Sequence, residues 1–251
     1  MSEQDVKVKS IKKTVDILNC FIEKQPLGIT EISQKLGLHK SNVHNILSTL
    51  AALDYVGQEA ESGKYYLGAG VLRLSRALGE RYNFRNIAVG HMRQLADSEN
   101  EIVALTTPMG KEVFYMEMAY PRSGRAATNY MRTMTNHMHT TSCGKAMMAY
   151  MPESFVEEYF QKPAEAPTEH TITTLEDMQV ELAAVRKNGY AVDNMETDLG
   201  VRCVGVPILD RNREVVGALS ISGSVLTFND ERVSDLAEKL KEAVSEIEKT
   251  I

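Results

Sequence analysis

Ile29-Thr30-Glu31-Ile32-Ser33-Gln34-Lys35-Leu36-Gly37, followed after two residues by the run Lys40 to Leu53, decides the fold of the first part of this chain. The first segment reads as a short amphipathic helix, with Thr30 as its expected N-cap. Ser33 is small where two helices must cross, and Gly37 supplies a tight turn. The second segment predicts a longer helix that carries Val43, Ile46, Leu47 and Leu50 on one face. Lys40, Ser41, Asn42, His44, Asn45 and Ser48 are left on the outward face. These side chains are short, polar and rich in donors, which suits phosphates and base edges better than an apolar partner. The bland alternative is an ordinary solvated helix face.

Working outward, Tyr55 to Gln58 and Lys64 to Leu67 predict two short strands, joined by Ala60-Glu61-Ser62-Gly63. Gly63 gives the turn its freedom, and the hairpin is the expected wing of a winged helix-turn-helix, with Lys64 at its tip. The candidate DNA contacts are therefore Thr30, Lys40, Ser41, Asn42, His44, Asn45 and Lys64. Upstream, a helix is expected over Ser10 to Lys24, with Ile11, Val15, Leu18 and Ile22 as its buried stripe. Lys7, Lys9, Lys12 and Lys13 form a basic run. It reads either as a solvated arm or as a set of phosphate contacts.

The 251 residues suffice for two ordinary domains, and the net charge of −6 at first argues against nucleic acid. The charge is uneven. Residues 1–78 hold ten Lys/Arg against eight Asp/Glu, whereas the rest holds eighteen against twenty-six. The basic excess lies where the helix-turn-helix lies. No run approaches the ~20 apolar residues of a membrane span, and no signal-like apolar run opens the chain. Cys20, Cys143 and Cys203 are few and far apart, so a disulfide framework is not expected and a cytoplasmic location is.

Beyond the wing, helices are expected over Val71 to Leu78 and Phe84 to Ser98, the second with Ile87, His91, Met92 and Leu95 on one side. Strands follow over 102–107, 112–119, 126–132, 202–209 and 215–222. Helices are expected over 144–151, 154–160, 175–188 and 230–249, the last with Val233, Leu236, Leu240, Val244 and Ile247 inward. The order predicts an α+β fold with an antiparallel sheet. The expected division is a winged helix-turn-helix over 1–70, a helical linker over 71–83 and a second domain over 84–251.

The run Gly37-Leu38-His39-Lys40-Ser41-Asn42-Val43-His44-Asn45-Ile46-Leu47, with Tyr65-Tyr66-Leu67-Gly68, resembles the DNA-binding half of the IclR family of bacterial transcription regulators. His139-Thr140-Thr141-Ser142-Cys143-Gly144-Lys145-Ala146, Gly189-Tyr190-Ala191, Gly200-Val201-Arg202-Cys203 to Pro207, and Ser220-Ile221-Ser222-Gly223 are similar to signatures of that family's second half, in the same order. The resemblance implies a homodimer or tetramer and a C-terminal sensor of GAF-like α/β architecture. It also implies a small organic-acid or sugar-acid effector. Two positions depart from the family pattern. Asn45 stands where Arg is usual, and Asn pairs bidentately with adenine where Arg prefers guanine. His137 stands where Pro is usual.

The resemblance places Asp193, Cys203, Ser220 and Ser222 in the effector pocket, with the backbone around Ser142 and Cys143. Ser142, Cys143 and Gly144 are expected at a helix start, where free N–H groups favour a carboxylate. Ser220 and Ser222 lie two apart on a strand and face one side. An anion beside Asp193 is unfavourable unless Asp193 accepts from a ligand hydroxyl, which favours a hydroxy- or keto-acid. The bland reading makes the serines backbone partners and Cys203 a small core residue. His137, His139, Cys143 and Cys203 also form a conceivable zinc set, without a spacing that fixes its geometry. Cys203, His139 and Asp193 form a nominal nucleophile–base–acid triple. The methionines around 116–148 read as core, or as an adaptable pocket wall.

These observations predict a metabolite-responsive regulator, expected to repress catabolic genes from a near-palindromic operator, with no cofactor and no membrane partner. Two alternatives remain open: an enzyme that uses the second domain, and a DNA-binding repressor that needs no ligand. A thin similarity to sugar-acid regulators in Gln58-Glu59 and in Glu169 to Thr173 points to a sugar-acid catabolite.

Overall fold

The computed structural model describes residues 6–79, 84–123 and 134–251. Its contacts divide the chain into two compact units, residues 1–82 and 83–251.

The first unit runs α1 (Lys9–Glu23), α2 (Ile29–Leu36), α3 (Lys40–Ala52), β1 (Val56–Gln58), β2 (Tyr65–Leu67) and α4 (Ala69–Gly79). Its core joins Ile17, Cys20 and Phe21 of α1 to Ile32 of α2 and to Val43, Leu47 and Leu50 of α3. Val56 and Tyr65 of the antiparallel hairpin close it. Gly37 ends α2 at φ 63°, the left-handed conformation in which a Cβ is costly. Ser33 Oγ donates to the Leu38 carbonyl at 2.6 Å and so fixes the turn.

Two expectations fail here. The stripe assigned to the core of α1 is on its surface, with Ile11 61% and Val15 47% exposed and Ile22 exposed as well. Leu18 is only half-buried. The helix carries two apolar faces, and the one holding Phe21 won. Thr30 is not a cap. Gly28 is the N-cap, and Glu31 Oε2 accepts from its backbone N–H at 2.8 Å. The capping acid is thus three residues after Gly28.

The second unit runs α5 (Phe84–Glu99), β3 (Ile102–Met109), β4 (Glu112–Ala119), β5 (Thr135–His137), α6 (Ser142–Met148), α7 (Glu153–Tyr159), α8 (Leu175–Asn188), β6 (Ala191–Asn194), β7 (Val201–Leu209), β8 (Val215–Ser224) and α9 (Asp230–Glu248). The strands form one six-stranded sheet in the order β5-β4-β3-β8-β7-β6, and every pairing is antiparallel. The strand expected over 126–132 lies outside the described residues. β5 and β6 were not foreseen.

Two glycines set the layers. A Cβ on Gly205 of β7 would stand 2.7 Å from the Ser142 carbonyl carbon, so α6 rests directly on that face. On the opposite face of β8, a Cβ on Gly217 would meet the Phe84 ring of α5 at 3.5 Å. In a strand, neighbouring residues point to opposite sides, so α6 and α5 cover opposite faces of the sheet. α9 buries the predicted Val233, Leu236, Leu240, Val244 and Ile247. Each such aliphatic side chain contributes roughly 1.5–3 kcal/mol when fully removed from water. α5 turns out differently from the expectation: Phe84, Ala88, Met92 and Ala96 are buried, whereas Ile87, His91 and Leu95 flank that face half-exposed.

Candidate DNA face and sensor cavity

On α3, Val43, Leu47 and Leu50 are buried, while Lys40, Ser41, Asn42, His44 and Asn45 are all exposed. The polar residues predicted as a reading face thus share the solvent side of one helix. Thr30 is exposed on the first turn of α2. Lys64 is not at the tip of the wing. Glu59 N–H donates to its carbonyl at 2.8 Å, which sets it at the base of the loop, and the exposed residues beyond are Ala60, Glu61 and Ser62.

Lys64 is also partnered, with its Nζ 3.1 Å from Glu31 Oε2, while Lys24 holds Oε1 at 3.2 Å. The Gly28 backbone bond, together with these two cations, lowers the Glu31 carboxyl to about 2. The basic run is not a free arm either. Lys9, Lys12 and Lys13 lie within α1, and Lys12 pairs with Asp16 at 2.7 Å.

In the second unit the strand register brings the predicted pocket together. Asp193 of β6 stands opposite Cys203 of β7, and Cys203 opposite Ser222 of β8. Ser220 stands opposite Gly205, two residues along on the same face. Because Gly205 has no side chain, the start of α6 descends onto this row. Ser142, Cys143, Asp193, Cys203, Ser220 and Ser222 line one cavity, together with Tyr115 and Thr141. Its volume of about 10 Å³ holds roughly one water, so a larger ligand requires these side chains to move.

The cavity is buried and polar. Burial pushes the Cys143 and Cys203 thiols up, so both are neutral; Ser220 and Thr106 hydrogen-bond to the first and Ser222 to the second. Burial also raises Asp193, whose Oδ1 accepts from the Glu196 N–H at 2.8 Å. Burial raises the Tyr115 phenol likewise. The helix start differs from the expectation: Thr141 is the N-cap of α6, and its Oγ1 takes the Gly144 N–H at 3.0 Å, so that group is not free for a ligand.

His139 belongs elsewhere. Its Nδ1 meets Tyr159 Oη and its Nε2 meets the Glu165 carbonyl, both at 2.8 Å, and burial lowers its pKa. Both ring nitrogens are occupied, so the conceivable zinc set with His137, Cys143 and Cys203 is not assembled. Nor is the triple with Asp193 and Cys203. His137 and His139 do share a face, with ring centroids 5.5 Å apart. Of the methionines read as core or as an adaptable wall, Met138, Met147 and Met148 are wholly buried in a core cluster with Val156 and Met178; Met131 lies outside the described residues, and no described methionine lines the cavity.

Beside the cavity, and unnoticed in the sequence, is a buried charge cluster. Lys145 is 1% exposed and its Nζ contacts Glu196 Oε1 and, at 3.0 Å, Glu181 Oε1. Burial lifts Glu196 to about 7 against the pull of Lys145. Burial opposes the charge on Lys145, yet its two carboxylates hold it above its usual range.

Known proteins match the chain along its length. The family description "IclR helix-turn-helix domain" matches residues 10–60, and "Bacterial transcriptional regulator IclR C-terminal" matches residues 77–249. The HTH-type transcriptional regulator KdgR of Escherichia coli (strain K12) is 31% identical, across 98% of this chain and 94% of its own. The Thermotoga maritima IclR crystal structure is similar with a TM-score of 0.74 at 30% identity, covering 96% of this chain and 98% of its own. An IclR homolog from Microbacterium hydrocarbonoxydans, complexed with 4-hydroxybenzoate, shares the fold with a TM-score of 0.84 at 22% identity, covering 96% and 98%.

Proposed function

Since the chain belongs to the IclR family of bacterial transcriptional regulators, and so is a DNA-binding regulator and not an enzyme, we propose that it represses catabolic genes until a small organic acid enters its sensor cavity. The observation that carries this reading is the convergence of Asp193, Cys203, Ser220, Ser222, Ser142 and Cys143 on one buried polar cavity, in a molecule that also exposes a polar recognition helix. A carboxylate entering the cavity meets hydroxyl donors on Tyr115, Ser220 and Ser222. Asp193, raised by burial, either donates as a neutral acid or accepts from a ligand hydroxyl. Both roles favour a hydroxy- or keto-acid over a plain one. The 4-hydroxybenzoate held by a fold neighbour carries a hydroxyl and a carboxylate on one small molecule.

Lys40, Ser41, Asn42, His44 and Asn45 contact DNA, with Thr30 on the flanking backbone. Lys64 reaches a phosphate by exchanging Glu31 for it. The exposed Val8, Ile11, Val15 and Ile22 of the first helix region, and Leu72, Leu74 and Leu78 of α4, are apolar surfaces suited to a second copy of the chain. A dimer places two recognition helices on a near-palindromic operator in the cytoplasm. No described helix is long and apolar enough to cross a membrane.

Fluorescence anisotropy of a duplex from upstream of this gene, with and without hydroxy- and keto-acids, tests the reading. Tight binding released by one acid is expected. Tight binding that no acid changes leaves a ligand-independent repressor in its place.

A further inference from the structure

We propose that the cleft at the outer edge of β6 is a second ligand site, which takes a small amino acid as its zwitterion, with the ammonium against Glu196 and the carboxylate against Arg202. The cleft has a volume of about 270 Å³ and is lined by Lys145, Glu181, Glu196 and Arg202, with His170 and Ile172 toward its rim. It shares no lining residue with the first cavity.

Among the described residues, two buried side-chain atoms lack a hydrogen-bond partner, and both belong to residues lining this cleft: Glu196 Oε2 and Arg202 Nε. Glu196 is only 4% exposed, and its other oxygen is taken by Lys145. Arg202 places its outer nitrogens on the Phe228 carbonyl and Asp230, each at 2.6 Å, while its buried Nε–H has no acceptor among the described residues. Buried polar groups without partners are rare in folded proteins, so two in one cleft call for a common explanation.

The two atoms have opposite demands. Glu196 Oε2 needs a donor when the carboxyl is ionised, and the cluster of one lysine and two glutamates then carries a formal excess of one negative charge; an ammonium beside it favours that ionised form against the burial that opposes it. Arg202 Nε needs an acceptor. A simple cation leaves Arg202 unsatisfied and meets Lys145, whereas a simple anion is opposed by Glu181 and Glu196. A zwitterion satisfies both, and the volume, just below the range of ordinary small-molecule pockets, limits it to a small one. The Glu196 N–H donates to Asp193 Oδ1 at 2.8 Å, so an occupant of the cleft sits one hydrogen bond from the first cavity.

The test titrates the full-length protein with glycine, alanine and serine by calorimetry, beside ethylamine and propionate as amine-only and acid-only probes. Saturable binding of at least one amino acid is expected, with both single-charge probes at least about tenfold weaker. Ile172→Trp, which fills the cleft without removing a charge, is expected to weaken that binding by about tenfold or more and to leave the response to hydroxy- and keto-acids intact. No saturable amino-acid binding at millimolar concentration, equal binding of a single-charge probe, or unchanged binding by a folded Ile172→Trp variant overturns the proposal. Should that variant fail to fold, the comparison of probes on the unmodified protein decides alone.

Discussion

The recognition helix and the buried cavity use similar side chains in opposite ways. α3 lifts Ser41, Asn42, His44 and Asn45 into solvent on a frame of Val43, Leu47 and Leu50. The cavity buries Ser142, Ser220, Ser222 and Asp193 beneath a helix, each within about 4% of full burial. An exposed polar face costs the fold little and can be tuned to a partner almost freely. Buried polar groups must be satisfied one by one, so substitutions in the cavity are felt as stability before they are felt as function.

That contrast is most exposed to failure at Lys145. Lys145→Ala leaves Glu196 and Glu181 facing each other without their cation, and is expected to destabilise the second unit by about 3–5 kcal/mol, read from urea unfolding. A loss below a few tenths would mean that the cluster is not a buried ion pair. Next comes Gly205→Ala, whose new Cβ would meet the α6 backbone at 2.7 Å. A loss of about 1–3 kcal/mol is expected, together with a weakened response to acid.

On the exposed side the prediction inverts. Asn45→Ala should leave unfolding within about 0.5 kcal/mol of the unmodified protein. It should cost about 1–3 kcal/mol of discrimination at one operator base pair, measured by anisotropy on single-substituted duplexes. The smallest effect is expected from Glu31→Gln. Its carboxyl is depressed to about 2, so its contribution is present above the ordinary carboxylate range and is lost as pH falls from about 4.5 through 2. The unmodified protein should therefore show a steeper acid-side slope in melting temperature than the variant does.

Legibility in the sequence followed the same divide. The pattern of α3 survived intact, because the face of a lone amphipathic helix is written in its own period. α1 misled because it has two apolar stripes, and only the partners of Ile17, Cys20 and Phe21 decide which is buried. α5 misled because its core face is built on Ala88 and Ala96, small residues that period reading underweights. The six cavity residues were reached through the family resemblance; the register that aligns Asp193, Cys203 and Ser222 is a property of three strands together. Tyr115 and Thr141 carried no local mark, and neither did the Lys145–Glu196 pair, whose members are 51 residues apart.

The most direct test of the central claim separates the two regions in one titration. Operator binding by anisotropy is compared for the unmodified protein, Asn45→Ala and Ser222→Ala, each with and without the acid that acts on the unmodified protein. Asn45→Ala is expected to lose operator discrimination but still bind the acid by calorimetry, whereas Ser222→Ala is expected to keep its operator affinity and lose the response. A folded Ser222→Ala variant that responds to acid as the unmodified protein does would contradict that claim.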